Sequence, residues 1–100
     1  MKAVLDGTVI AEALAEDVVR IEGNVYFPPA SVRDEFLSTS PTPYTCPWKG
    51  ECEYLDVTIG DQTLKDRAWR YPEPYPTAVE RVGREFASYV AFWKEVEVVE

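Results

Sequence analysis

Apolar positions along this chain recur at every second residue more often than at every third or fourth. That spacing predicts short strands, not long helices. Ala3–Leu5 and Thr8–Ala11 flank Asp6-Gly7, a two-residue hairpin signal. Val18–Glu22 and Val25–Phe27 flank Gly23-Asn24 in the same way, and Gly and Asn both tolerate positive φ. Pro28-Pro29 ends the second arm, because proline has no N–H to give a ladder. Residues 53–59 and 62–71 form a longer hairpin around Gly60-Asp61. There Leu55, Val57 and Ile59 face one way, and Tyr54, Asp56 and Thr58 the other. On the second arm Trp69 and Tyr71 share a face with Lys65 and Arg67. Tyr89–Trp93 and Val96–Val99 are the closing strands.

Helical signals are fewer. Ala30–Leu37 reads as a short helix with Ser31 as N-cap, Asp34 in the capping-box position, and Val32, Phe36 and Leu37 on one face. Ser38–Pro43 reads as a polar loop. Tyr71–Pro76 has proline at every second position and is expected to be an extended loop. Thr77 is the expected cap of a second short helix through Val82, stopped near Gly83. The predicted fold class is mainly β, bordering on α+β: small antiparallel sheets with one or two short helices, in a single domain over residues 1–100.

Composition supports one core. The 100 residues are 46% apolar and 13% aromatic, enough to bury a small interior. The net charge of −8, from 18 acids against 10 bases, repels phosphate backbones and anionic bilayers. Neither nucleic acid nor membrane is therefore an expected partner. No apolar run nears the ~20 residues that span a bilayer, and Met1–Asp6 does not read as a signal peptide. A cytoplasmic location with free thiols is expected, and the sequence is silent on oligomeric state. The chain has no His, which excludes Ser-His-Asp and Cys-His catalysis within it. Its two cysteines cannot complete a four-ligand zinc site. No metal and no cofactor are expected.

The chemistry is concentrated in Thr45-Cys46-Pro47-Trp48-Lys49-Gly50-Glu51-Cys52-Glu53-Tyr54. Pro47 fixes φ and Gly50 frees it, which makes a tight turn. An ammonium near a thiol lowers the thiol's pKa, so Cys46 is a candidate nucleophile with Lys49 as its electrostatic partner. The alternative is a small buried hydrophobe beside a surface lysine. Lys49 is also a candidate clamp for a carboxylate or phosphate. Trp48, Tyr44 and Tyr54 form one aromatic group; Trp69, Arg70 and Tyr71 with Pro72, Pro74 and Tyr75 form another. Rings with a few polar tips line small-molecule pockets, and they equally build the core of a small β domain. Glu51 and Glu53 share a strand face, which suits an exposed edge that deters aggregation.

Three blocks carry a resemblance: Thr45-x-Cys46-Pro47-x-Lys49-Gly50 followed by Tyr54, then Ala68-Trp69-x-Tyr71-x-x-Pro74, then Val90-Ala91-Phe92-Trp93. In this order they resemble the family catalogued as domain of unknown function 427, along nearly the whole chain. The resemblance implies a β-tent or Mss4-like architecture, two antiparallel sheets meeting at an angle over a cleft. Relatives of that fold carry zinc on two Cys-x-x-Cys knuckles, which this chain lacks. The family's nucleotidyltransferase-like label implies carboxylates on metal and a Gly-Ser phosphate-binding element, and the chain shows no such arrangement. The expected site is a cleft lined by Cys46, Trp48, Lys49, Tyr54, Trp69 and Tyr71, with Arg67 or Arg70 adding positive charge, that takes a small polar or anionic molecule. The rival expectations are an interaction domain that meets a protein through the Tyr71–Pro76 loop, and an enzyme with Cys46 as nucleophile.

Overall fold

The computed structural model describes residues 1–100. Strands β1 (Lys2–Leu5) and β2 (Thr8–Glu12) pair antiparallel around Asp6-Gly7, whose φ values are 48° and 80°. Two successive left-handed residues give a turn whose twist matches that of the strands. A bulge sets Ile10 as an extra residue on β2, so adjacent Ile10 and Ala11 both turn inward. Strands β3 (Val19–Ile21) and β4 (Asn24–Tyr26) form the second hairpin. Its turn is Glu22-Gly23, with φ of 54° and 82°, one residue earlier than the expected Gly23-Asn24.

The next region departs from the expected helix over Ala30–Leu37. Two short 3-10 turns, Pro29–Ser31 and Asp34–Phe36, flank an extended Val32. The helix loses because Val32 bridges to Ala11 and the Arg33 N–H donates to the Ile10 carbonyl at 2.8 Å. Ser31 does not cap; its hydroxyl donates back to the Pro28 carbonyl at 2.7 Å. The expected polar loop at Ser38–Pro43 lies within β5 (Leu37–Cys46). This strand reads as a loop because it forms an edge of its sheet, where polar side chains and proline are tolerated and discourage further pairing.

Strands β6 (Gly50–Ile59), β7 (Gln62–Arg70) and β8 (Val90–Phe92) complete a four-stranded sheet in the order β5-β6-β7-β8. Helix α1 (Pro76–Val82) begins with Pro76 after the cap residue Tyr75, not with Thr77 as cap, and ends at left-handed Gly83. Strand β9 (Glu97–Val99) pairs with the free edge of β1, giving a three-stranded sheet in the order β2-β1-β9. Reciprocal hydrogen bonds between Phe27 and Val90 tie the β3–β4 hairpin to β8. The fold is mainly β with small antiparallel sheets. No helix is long and apolar enough to cross a membrane.

Alternation divides the core between the two faces of the larger sheet. Leu55, Val57, Ala68, Val90 and Phe92 pack with Ala3, Leu5, Ile10 and Phe27. Ala91, on the other face of β8, joins Tyr26, Tyr71, Phe86, Ala78 and Cys46. Two bulges interrupt β6's neighbours. Residues 40–42 on β5 lie between the pairs Thr39–Leu55 and Pro43–Glu53. Residues 65–67 on β7 lie between Leu64–Val57 and Ala68–Leu55. Asp66 sits there with φ of 57°, and its carboxylate accepts from the Thr42 hydroxyl at 2.7 Å, so the two irregularities are joined across β6.

Gly50 stands where β6 leaves the Pro47–Lys49 turn. Its φ is 120°, and a Cβ there would lie 3.3 Å from the Glu73 carbonyl oxygen. Gly7 also has positive φ but faces open space. Gly7→Ala is expected to cost about 1 kcal/mol from backbone strain alone, and Gly50→Ala about 2–3 kcal/mol. Urea unfolding of both variants checks this, and equal losses would contradict a close approach at Gly50.

Candidate functional site

The Pro47–Lys49 turn is held from outside by the segment after β7. The Tyr75 N–H donates to the Lys49 carbonyl at 3.0 Å, and Gly50 leaves room for the Glu73 carbonyl. Held this way, the turn directs Lys49 inward, and its residue is only 5% exposed. The Nζ lies 4.7 Å from the Trp48 ring centre and 5.5 Å from that of Tyr71, distances at which a ring face attracts a cation. The Lys49 ammonium donates to the carboxylate of Glu22, at the tip of the β3–β4 hairpin. Burial, the largest single effect, pushes the Lys49 pKa down; the bond to Glu22, together with the charges of Tyr26, Cys46 and Glu22, outweighs it and holds it above the ordinary lysine value. That same bond holds the Glu22 carboxyl low.

From this ion pair a cleft of about 610 Å³ runs over the second face of the larger sheet. Its wall carries the rings of Tyr26, Tyr44, Tyr54, Trp69, Tyr71 and Trp93, with Pro43 and the polar side chains of Glu22, Asn24, Thr42, Lys49, Cys52 and Asp66. Tyr54 and Trp69 are direct cross-strand partners, which sets their rings side by side. The Trp69 indole donates to the Tyr26 hydroxyl at 2.9 Å, and the two rings meet edge to face at 6.3 Å. Burial raises the phenol pKa values of Tyr26, Tyr54 and Tyr71, so all three stay protonated at neutral pH. At the far end, the neighbouring hydroxyls of Ser40 and Thr42 hold the Asp66 carboxyl low; Thr42 donates to it directly, and Ser40 donates to Thr42 at 3.1 Å.

The expected site residues divide. Lys49, Tyr54, Trp69 and Tyr71 meet in this wall. Cys46 lies behind it, 5% exposed and packed in the second core cluster. Burial pushes the Cys46 thiol up, but the backbone N–H groups of Trp48 and Lys49, with the Lys49 charge, bring it below the ordinary value. Cys52 is the thiol in the wall, and burial raises it to about 11, only partly offset by the Tyr71 hydroxyl. Trp48 also stands outside the wall, with the Arg81 guanidinium 4.4 Å from its ring centre. Arg70 alternates away from Trp69 and donates to Glu53 at 2.6 Å; Arg67 donates to Glu95 at 2.6 Å and lies over Trp93. In the Tyr71–Pro76 loop, Tyr71 is buried while Pro72, Glu73, Tyr75 and Pro76 are exposed.

Sequence reading missed Glu22, Tyr26, Thr42, Cys52 and Asp66. Each enters through long-range pairing that no local pattern encodes. Trp93 alone carried a signal, as the last residue of the third block. Its ring is 54% exposed at the cleft, more than a Trp kept only for packing would be.

The arrangement defines a small, mainly β domain with an aromatic-walled cleft and a buried lysine at one end. A family model matches residues 1–100, and the chain belongs to that family, described as Domain of unknown function (DUF427) and labelled NTP_transf_9. Comparison with curated proteins finds no match. The label's nucleotidyl-transfer chemistry calls for carboxylates that converge on metal. No three Asp, Glu, Cys or His side chains come together here. Glu22 is bound to Lys49, next to the start of β6, whereas the Asp66 N–H bonds the Asp56 carboxylate. Those points are about 20 Å apart along the strand, at about 3.3 Å per residue. The donor set does not fit such a metal site.

The Asp66 bonds carry a pH dependence. With its folded pKa below the unfolded one, ionised Asp66 contributes stability that is complete above the ordinary carboxylate range. That contribution is lost as pH falls through the lowered value. Asp66→Asn is expected to flatten the acid limb of stability below about pH 4, read from urea midpoints across the acid range. An acid limb as steep as the wild type's would contradict this.

Proposed function

We propose that this protein binds a small polar or anionic molecule in the cleft and does not transform it. The observation that carries the reading is convergence: side chains from β4, β5, β6 and β7 meet around one cavity of about 610 Å³ whose wall joins aromatic rings to converging polar groups, the make-up of a site for a polar ligand. Protonation supports binding over catalysis. An acid–base catalyst works best with a pKa near the working pH. In this wall the carboxyls of Glu22 and Asp66 are held low, and Lys49, Cys52 and the phenols of Tyr26, Tyr54 and Tyr71 are held high.

The thiols argue the same way. Cys46 has the electrostatics of a nucleophile without a position in the cleft wall, and Cys52 has the position with a thiol that stays protonated at neutral pH. The Tyr71–Pro76 loop favours a partner-binding role less, since its backbone is engaged in holding the Lys49 turn. Two unpaired thiols suit a cytoplasmic setting, which belongs to the same reading.

Two measurements test it. Trp69→Phe is expected to keep cooperative unfolding and to lose the thermal shift that wild type gains from a bound metabolite. A variant that still shows the full shift counts against the cleft. Iodoacetamide at neutral pH is expected to label neither cysteine faster than an unstructured thiol, with the Cys52 rate climbing toward pH of about 11. Rapid labelling of Cys46 at neutral pH, slowed in Lys49→Met, would restore the nucleophile reading.

A further inference from the structure

Lys49 is the one charged residue that the fold buries, and its counter-ion is the reverse. The Glu22 side chain is 56% exposed. It projects from a two-residue turn, with φ of 54°, on a hairpin whose arms are three residues each. The exposed carboxylate regains its hydration as soon as it leaves the pair, whereas the buried ammonium needs some anion to replace it, and a small two-stranded tip is among the easier parts of a fold to displace. The buried ammonium is the fixed half of this pair and the carboxylate the movable half.

We propose that Lys49 is the anchor for the carboxylate of a planar monoanionic ligand, and that Glu22 is its intramolecular competitor, moving out as the ligand's carboxylate moves in. This deepens the cleft-binding reading above and rests on it. Glu22 itself demonstrates the chemistry: a carboxylate oxygen meets the ammonium at the end of the cleft. One ammonium balances one negative charge. Of the neighbouring guanidiniums, Arg67 is paired with Glu95 and Arg70 with Glu53, while Arg81 lies on Trp48 outside the wall and reaches Glu22 only through its charge. Lys49 is the one cation in the cleft wall, so a phosphate dianion would meet a single ammonium in a chain of net charge −8. Beyond Lys49 the wall continues as Tyr71, Trp69 and Tyr54, flat faces that suit a ring or conjugated body. Taking up such an acid exchanges one carboxylate for another at Lys49 and returns Glu22 to water, so the charge around the buried ammonium is conserved.

The test is a titration at constant ionic strength with benzoate, its neutral isostere benzamide, and inorganic phosphate, read from the indole N–H signals of Trp48, Trp69 and Trp93. Benzoate is expected to saturate the Trp69 signal with about tenfold higher affinity than benzamide, the factor for one charge-assisted hydrogen bond. Glu22→Gln, which removes the competitor's charge, is expected to tighten benzoate and leave benzamide unchanged. Lys49→Met is expected to abolish the preference between the two. Equal binding of benzoate and benzamide in wild type and Glu22→Gln would overturn the anchor while leaving the cleft standing. No saturable response at Trp69 to either would overturn both. Phosphate binding more tightly than benzoate would overturn the monoanion. Should Lys49→Met not fold, Glu22→Gln decides: unchanged or weakened benzoate affinity overturns the proposal.

Discussion

The burial of one ammonium organises this molecule. A lysine charge taken out of water is costly unless it is paired and surrounded by groups that tolerate it. Lys49 meets that demand with the Glu22 carboxylate and with the rings of Trp48 and Tyr71. Each of those groups comes from a different place. Glu22 is on the β3–β4 tip, Trp48 is in the same turn as Lys49, and Tyr71 follows β7. The charge thus joins a hairpin, a turn and the end of a strand that share no sheet ladder at that point. It also acts on the thiol behind it, since Cys46 is held low by the Lys49 charge and by the N–H groups of the same turn. Removing the ammonium would leave Glu22 free in solvent and would take away part of what holds Cys46 low, the N–H groups of the turn supplying the rest.

The far end of the cleft is built by a different device. Bulges on β5 and β7 face each other across β6, and the Thr42–Asp66 bond links them. Bulges re-aim side chains and bend strands. Here they carry Asp66 and Thr42 into the cleft wall while Leu55 and Val57 stay in the main core on the opposite face. The cleft is therefore bounded by a buried cation at one end and a stapled carboxylate at the other. Between them lie donors that keep their protons: the phenols of Tyr26, Tyr54 and Tyr71 and the thiol of Cys52. A wall whose groups titrate away from neutral pH presents a constant pattern to a ligand across physiological pH.

Much of the fold was legible along the chain. Asp6-Gly7 and Gly60-Asp61 mark the β1–β2 and β6–β7 turns, and Gly83 the end of α1, because each position needs a backbone conformation that glycine or aspartate adopts easily. The core face of β6 follows from the alternation of Leu55, Val57 and Ile59. The stretch from Ala30 to Pro43 was not legible. Its apolar spacing suits a helix, yet Val32 and Arg33 are taken by β2, and the polar residues that follow form the edge strand β5. In both cases a partner distant in sequence outweighs the local preference.

The site divides along the same line. By itself the sequence determined that there is a rigid turn with Cys46, Trp48 and Lys49, that Tyr54 and Trp69 are aromatics on strand faces, and that catalysis relying on His is absent. These follow from covalent constraints and residue chemistry, which are local. Only the tertiary structure decided that Lys49 points inward to Glu22, that Cys52 and not Cys46 reaches the cleft wall, and that Arg70 is committed to Glu53. Those outcomes depend on which strands pair and in what register. A shift of one residue in register exchanges the two faces of a strand, so no composition or spacing rule could have assigned them.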